Sequence, residues 1–202
     1  MYQHELKIKK HKKVSHYTYG RYGSTTTIEL ENILKELEQA YHVFLTGTGF
    51  GGIALALMSL CRPGDEILVS DNVYGPTKEI SQELLKEFSI SAKFYNPDSF
   101  EDLKSKISKK TKMILVENPG SNTFEFQDLS KITQLAKRKK IFTLLDNTWG
   151  TPLYLKPLKI GFDMSFCSAT KYFSGHSDAM GGSLAVNKNG FIKCMFFYKL
   201  SG

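Results

Sequence analysis

Apolar positions along this 202-residue chain recur with two periods, and the period predicts the element. Ile28, Leu30, Ile33, Leu34 and Leu37 are spaced for an amphipathic helix over 27–40. A short apolar run at 42–45 then breaks into Thr46-Gly47-Thr48-Gly49-Phe50-Gly51-Gly52. A second helical run, 53–60, is stopped by Arg62-Pro63-Gly64-Asp65. Further helices are predicted over 76–88, 100–108 and 129–138. Short β-rich runs fall between them at 66–70, 91–95, 111–117 and 141–145, and two more follow at 162–169 and 182–187. Such alternation predicts an α/β fold, with a mostly parallel sheet and helices on both faces.

Sheets of this kind place ligands at the C-terminal ends of their strands. Asn118, Asp146, Asn147 and Lys171 all fall at such ends. The glycine-dense run before the second helix is either a phosphate cradle or a tight structural turn. It has neither the Lys-Ser/Thr of a Walker loop nor a suitably spaced acidic residue for a dinucleotide fingerprint. Asp146, at the tip of an apolar strand, is a partner for a protonated heteroaromatic nitrogen or a capping residue. Lys171, between Thr170 and Tyr172, is a Schiff-base lysine or a surface lysine. Tyr74, before Gly75-Pro76, is a stacking ring or ordinary turn packing. His176 in Gly175-His176-Ser177-Asp178 makes no Ser-His-Asp triad, whose members come from separate segments. His4, His11 and His16 lie in a basic arm and predict no metal site.

Composition narrows the class. The net charge is +7, and 41% of the residues are hydrophobic, enough for a sizeable core. Much of the positive charge sits at Lys7, Lys9, Lys10, Lys12 and Lys13 and at 137–140. With no helix-turn-helix, zinc or RNP-like pattern beside them, these read as solvated basic faces, with no nucleic-acid partner. No apolar stretch is long enough to span a bilayer, and no secretory signal opens the chain, so no membrane partner is expected. Three widely spaced cysteines, Cys61, Cys167 and Cys194, point to a reducing compartment and a cytoplasmic location.

Taken together, the motifs say more. Tyr19-Gly20-Arg21, Gly49-Phe50, Tyr74, Glu117-Asn118-Pro119-Gly120-Ser121, Asp146-Asn147-Thr148-Trp149, Ser168-Ala169-Thr170-Lys171-Tyr172 and Gly175-His176-Ser177-Asp178-Ala179-Met180-Gly181-Gly182 occur in that order. This series resembles the Cys/Met-metabolism family of pyridoxal 5'-phosphate (PLP) enzymes, and within it is most like the cystathionine β-lyases. The resemblance implies the large domain of a fold-type I PLP-dependent transferase. It assigns the Schiff base to Lys171 and the pyridinium partner to Asp146. Ring stacking and help with proton handling fall to Tyr74, with Asn118 near the ring. The phosphate would be held by Gly49, Phe50, Ser168 and Thr170, joined by Tyr19 and Arg21 of a neighbouring copy in a homo-oligomer, a dimer or a tetramer. Family members usually carry small residues where Phe50 stands.

The implied substrate is a small sulfur-containing amino acid. The implied reaction is β-elimination of L-cystathionine to homocysteine, pyruvate and ammonia. A γ-lyase or γ-synthase, a non-catalytic remnant and an α/β binding protein are the alternatives. The expected organisation is an arm over 1–26 and a PLP-binding large domain over 27–202, incomplete at its C-terminus. The small domain, which in the family carries the arginine for the substrate α-carboxylate, is expected to be absent.

Overall fold

Strands apolar on both sides need cover on both faces. The computed structural model, which describes residues 23–201, provides that cover. Seven strands form one sheet: β1 (His42–Thr46), β2 (Glu66–Ser70), β3 (Ser91–Tyr95), β4 (Thr111–Glu117), β5 (Phe142–Asp146), β6 (Met164–Ser168) and β7 (Gly182–Val186). Their order is β1-β7-β6-β5-β4-β2-β3. From β3 to β6 every pairing is parallel, whereas β7 is antiparallel to both β1 and β6. The mostly parallel sheet read from the sequence is therefore present, with one reversed strand inserted near its edge.

The helices are α1 (Thr25–Glu38), α2 (Gly49–Leu60), α3 (Gly75–Glu79), α4 (Leu85–Glu87), α5 (Phe100–Lys106), α6 (Leu129–Lys139), α7 (Thr151–Tyr154), α8 (Pro157–Ile160) and α9 (Lys188–Ser201). A π-helical turn, Ile80–Leu84, joins α3 to α4. Alternate strand residues face opposite cores. Ile67, Val69, Met113, Leu115 and Leu144 pack with Ile53, Leu57 and Leu60 of α2. Leu68, Ile114, Val116 and Leu145 pack on the other side with Leu103 of α5 and Ile132 of α6. Leu57, Leu68 and Ile114 have no exposed surface, and burial of each contributes roughly 1.5–3 kcal/mol.

Helix ends follow their local chemistry. Ser24 and Thr27 form a capping box at the start of α1, and Asp128 caps α6 by accepting from the Lys131 amide. Lys137, Arg138 and Lys139 occupy the last turn of α6, where positive charge complements the helix dipole. The basic run at 137–140 is thus the solvated end of a helix.

Two elements differ from the expected pattern. The apolar run after Gly190 forms helix α9, which buries Cys194 in the α2-side core and sets Phe191 beside the rings of His42 and Phe44. A run of this length carries no decisive period. In α1, Leu34 and Glu38 face the sheet, while Leu30, Ile33 and Leu37 of the expected apolar face are exposed. The three cysteines are free and buried, and burial pushes the thiols up, Cys61 to about 12 and Cys194 to about 11. Thiols so protonated are packing groups rather than nucleophiles.

Glu38 docks α1 onto the sheet through polar contacts. Its Oε1 accepts from the Ser165 hydroxyl (3.2 Å) and the Cys167 thiol (3.7 Å), while Oε2 is buried without a partner. Burial raises its carboxyl to about 7, against the pull of those bonds and of Lys156. A raised carboxyl pKa favours the folded state while the group is protonated. That contribution is complete below about pH 4.5 and is lost as pH rises through about 7. Between those limits the advantage of Glu38→Gln over the wild type should grow by on the order of 3 kcal/mol. Urea denaturation across this range measures it, and parallel wild-type and variant profiles would refute it.

Close approach at the start of β7 generates a second test. A Cβ on Gly182 would lie 2.6 Å from both Thr46 Oγ1 and the Thr48 carbonyl oxygen. Backbone cannot yield as a side-chain tip can, so Gly182→Ala should cost about 1–3 kcal/mol, seen as a lowered urea midpoint with unchanged slope.

Candidate active site

Because β7 reverses direction between them, β1 and β6 point the same way, and their ends meet. Thr46 and Ser168 both pair with Gly182 across the two ladders. This brings the N-terminus of α2 to the end of β6. A Cβ on Gly49 would stand 2.7 Å from Ser168 Oγ. The Thr48 hydroxyl caps the helix by accepting from the Gly51 amide at 3.0 Å. The amides of Gly49 and Phe50, first in the helix, have no intrahelical acceptor, and none is recorded for them among the described residues. Two free N–H groups, a helix dipole and the Ser168 hydroxyl thus converge where an anion would sit. Phe50 keeps its amide in this cradle while its side chain is part-exposed.

One strand further along, β5 ends at Asp146, only 7% exposed. Its Oδ1 accepts from the Thr148 amide (3.0 Å), and the Thr148 hydroxyl accepts from the Ser168 amide (2.9 Å). Burial raises the Asp146 carboxyl above its ordinary range, and the bonds from Thr148 pull it back. Beside it in register is Glu117, at the end of β4. Burial pushes Glu117 up, and the Asp146 charge pushes it further. Glu117 Oε2 accepts from the Tyr74 amide at 2.7 Å, fixing the turn that carries a half-exposed Tyr74 ring.

Lys171 lies in the turn after β6. Its amide donates to the Ser168 carbonyl (3.1 Å), and its own carbonyl accepts from the Gly175 amide (2.8 Å). The side chain is exposed and, among the described residues, makes no hydrogen bond or ion pair. It lines an open cavity of about 690 Å³ with Tyr172, Ser177, Asp178 and Met180. Trp149 packs near Tyr172 at the rim, with ring centroids 6.3 Å apart.

The sequence-predicted residues divide. Gly49, Phe50, Ser168, Asp146 and Tyr74 lie at or just past the C-terminal ends of their strands, and Lys171 follows Ser168 in chain, its side chain lining a cavity that those five do not line. Asn118 also stands just past a strand end, but its Oδ1 is taken up by the Gln127 amide (2.7 Å), which secures the loop after β4. The Thr170 hydroxyl is engaged twice by Gly181, donating to its carbonyl (3.3 Å) and accepting from its amide (3.2 Å), and so pins the loop that follows Lys171. Tyr19 and Arg21 lie outside the described residues. His176 stands in an exposed loop against the Ser174 carbonyl, with no triad around it. Glu117 and Thr148, recognised only as letters in a motif, prove to link separate parts of the site. The signal for Glu117 was its place at a strand end, beside the register position of Asp146.

These residues fit PLP. A buried carboxylate suits a protonated ring nitrogen, free helix amides with a hydroxyl suit a phosphate, and an unpaired lysine amine suits an aldehyde. Among the described residues no group of three or more His, Cys, Asp or Glu is placed to hold a metal, and no helix is long and apolar enough to cross a membrane.

Comparisons with known proteins show the fold and the family. A putative cystathionine beta-lyase of Saccharomyces cerevisiae is 39% identical over 170 residues, covering 84% of this chain and 50% of the relative. An L-alanine/L-glutamate racemase of Wolbachia pipientis is 33% identical, over 83% of this chain and 41% of the relative. The chain therefore spans half or less of these relatives' length. The crystal structure of metB from Corynebacterium glutamicum superposes with a TM-score of 0.89 at 26% identity, covering 94% of this chain and 49% of that one. A putative O-acetylhomoserine (thiol)-lyase from Campylobacter jejuni, solved with a pyridoxyl-lysine monophosphate residue, gives 0.81 at 32% identity, over 85% and 43%. The family model for Cys/Met metabolism PLP-dependent enzymes matches residues 1–202, and the chain belongs to that family.

Proposed function

We propose that this chain is the cofactor-binding part of a carbon–sulfur lyase acting on a small sulfur-containing amino acid, by β-elimination of L-cystathionine. The observation that supports the reading is the placement of the buried Asp146 carboxylate and the free Gly49 and Phe50 amides at the C-terminal ends of strands of one sheet, with the unpaired Lys171 side chain on the turn that follows β6. PLP, when bound, supplies an electron sink for charge that develops at the substrate Cα.

The chain's own residues have separable tasks. The Gly49 and Phe50 amides and the Ser168 hydroxyl would hold the phosphate. The Asp146 carboxylate would keep the ring nitrogen protonated, and the Tyr74 ring would stack on the cofactor. Lys171 Nζ would hold the cofactor's aldehyde carbon and, once free, would be the base for the substrate Cα proton; homocysteine would leave from Cβ, and the three-carbon remainder would take up water to give pyruvate and ammonia. Tyr74 Oη assists with proton handling at the leaving sulfur. Tyr19 and Arg21 of a second copy complete the phosphate site in a homo-oligomer. The cystathionine β-lyase name of the yeast relative supports the β-elimination. Removal of a Cα proton by the same amine also suits racemisation, which the Wolbachia relative's name makes the second reading.

Titration of the purified protein with PLP should produce a visible absorbance band that Lys171→Ala lacks. No band in the wild type would sink the reading. With cystathionine, pyruvate marks β-elimination and 2-oxobutyrate γ-elimination, while D-alanine from L-alanine marks racemisation. Lys171→Ala should lower whichever rate is found by about 10²-fold or more.

A further inference from the structure

Two buried carboxyl groups stand side by side at the ends of β4 and β5, and the cofactor reading uses only Asp146. Glu117 has the other. No Lys or Arg side chain is paired with either group among the described residues. Adjacent carboxylates in a water-poor site cannot both ionise cheaply. Asp146 has the better claim to the charge, since the amide and the side chain of Thr148 both bond to it and a cationic ring nitrogen would join it. Glu117 has a single donor, the amide of Tyr74, at 2.7 Å. That amide opens helix α3, and the helix has no side-chain cap of its own. The bond spans 43 positions of sequence and is the tie at Tyr74 itself, while Asn72 is held to the loop after β4 by the Ser121 amide and by Glu125.

We propose that Glu117 is the positioning residue for Tyr74, holding its amide as a neutral carboxylic acid so that the ring covers the cofactor while Asp146 alone keeps the negative charge. The proposal rests on the cofactor site described above. The groups facing Glu117 are the Asp146 carboxylate, from β5, and the Tyr74 amide, from the turn after β2. With Glu117 neutral, the site presents one negative charge to one cationic nitrogen. With Glu117 ionised, it would hold a second charge for which the described residues offer no counter-ion.

Three variants separate the possibilities. Glu117→Gln imitates the neutral acid, with a carbonyl oxygen for the Tyr74 amide. Glu117→Met keeps the volume without that acceptor, and Glu117→Ala removes both. The first readout needs no ligand: hydrogen exchange of the Tyr74 amide. Exchange should be as slow in the Gln variant as in the wild type, and about tenfold faster or more with Met or Ala. The second readout is binding of pyridoxine 5'-phosphate, which has the ring nitrogen and phosphate but no aldehyde for Lys171. Quenching of Trp149, the chain's single tryptophan, reports it. Affinity should be retained in the Gln variant and fall about tenfold in the Met variant.

Slow exchange in the Met variant overturns the positioning role. Fast exchange in the Gln variant overturns the neutral form. Wild-type affinity in the Met variant, despite fast exchange, shows that the tie does not serve the ring and overturns the proposal. If the wild type itself fails to bind the probe, the cofactor reading falls, and the exchange rates still decide whether Glu117 holds Tyr74.

Discussion

The site depends on a contact that leaves no room for a side chain. Gly182 begins β7 wedged between Thr46 and the Thr48 carbonyl on one side and Ser168, its ladder partner, on the other. Through that wedge the reversed strand sets the free end of α2 against the end of β6. Without it, the Gly49 amide and the Ser168 hydroxyl would belong to separate loops. The antiparallel insertion is thus a device that turns two distant segments into one anion cradle. The same packing leaves β7 buried along its whole length, so the cradle stands on a closely packed strand.

Electrostatics then gives the cradle a direction. Positive potential gathers at the α2 N-terminus, and negative charge at Asp146, at the end of β5. A ligand with a phosphate at one end and a cationic nitrogen at the other can satisfy both only one way round. Lys171, unpaired among the described residues, lines the open cavity beside the turn after β6. Burial is the shared cause: it keeps Asp146 and Glu117 from being screened by water, and makes their neighbour relation count.

Much of this was legible in the sequence, for identifiable reasons. Strands apolar on both sides, as at Ile67-Leu68-Val69, imply cover on two faces, and that argument placed Asp146 and Lys171 at ligand-binding ends. The glycine run was ambiguous alone, because a cradle and a tight turn need the same residues. Only the pairing of Gly182 with Ser168 shows what lies against Gly49. The direction of β7 was beyond reach, since alternation tells which residues pair with a core but not which way a strand runs. Helix α9 was missed because apolar length without period fits either element. Thr170 shows the limit of motif reading: the hydroxyl is where the pattern puts it, yet Gly181 holds it.

The hydrogen bonds from Ser168 to Thr148 and from Thr148 to Asp146 join the two poles of the site through neighbouring strands. Each bond has a backbone donor and a side-chain acceptor, the Thr148 hydroxyl in one and the Asp146 carboxylate in the other, and all three residues lie at or within two positions of a strand end. A distortion of either strand end would therefore reach both poles at once.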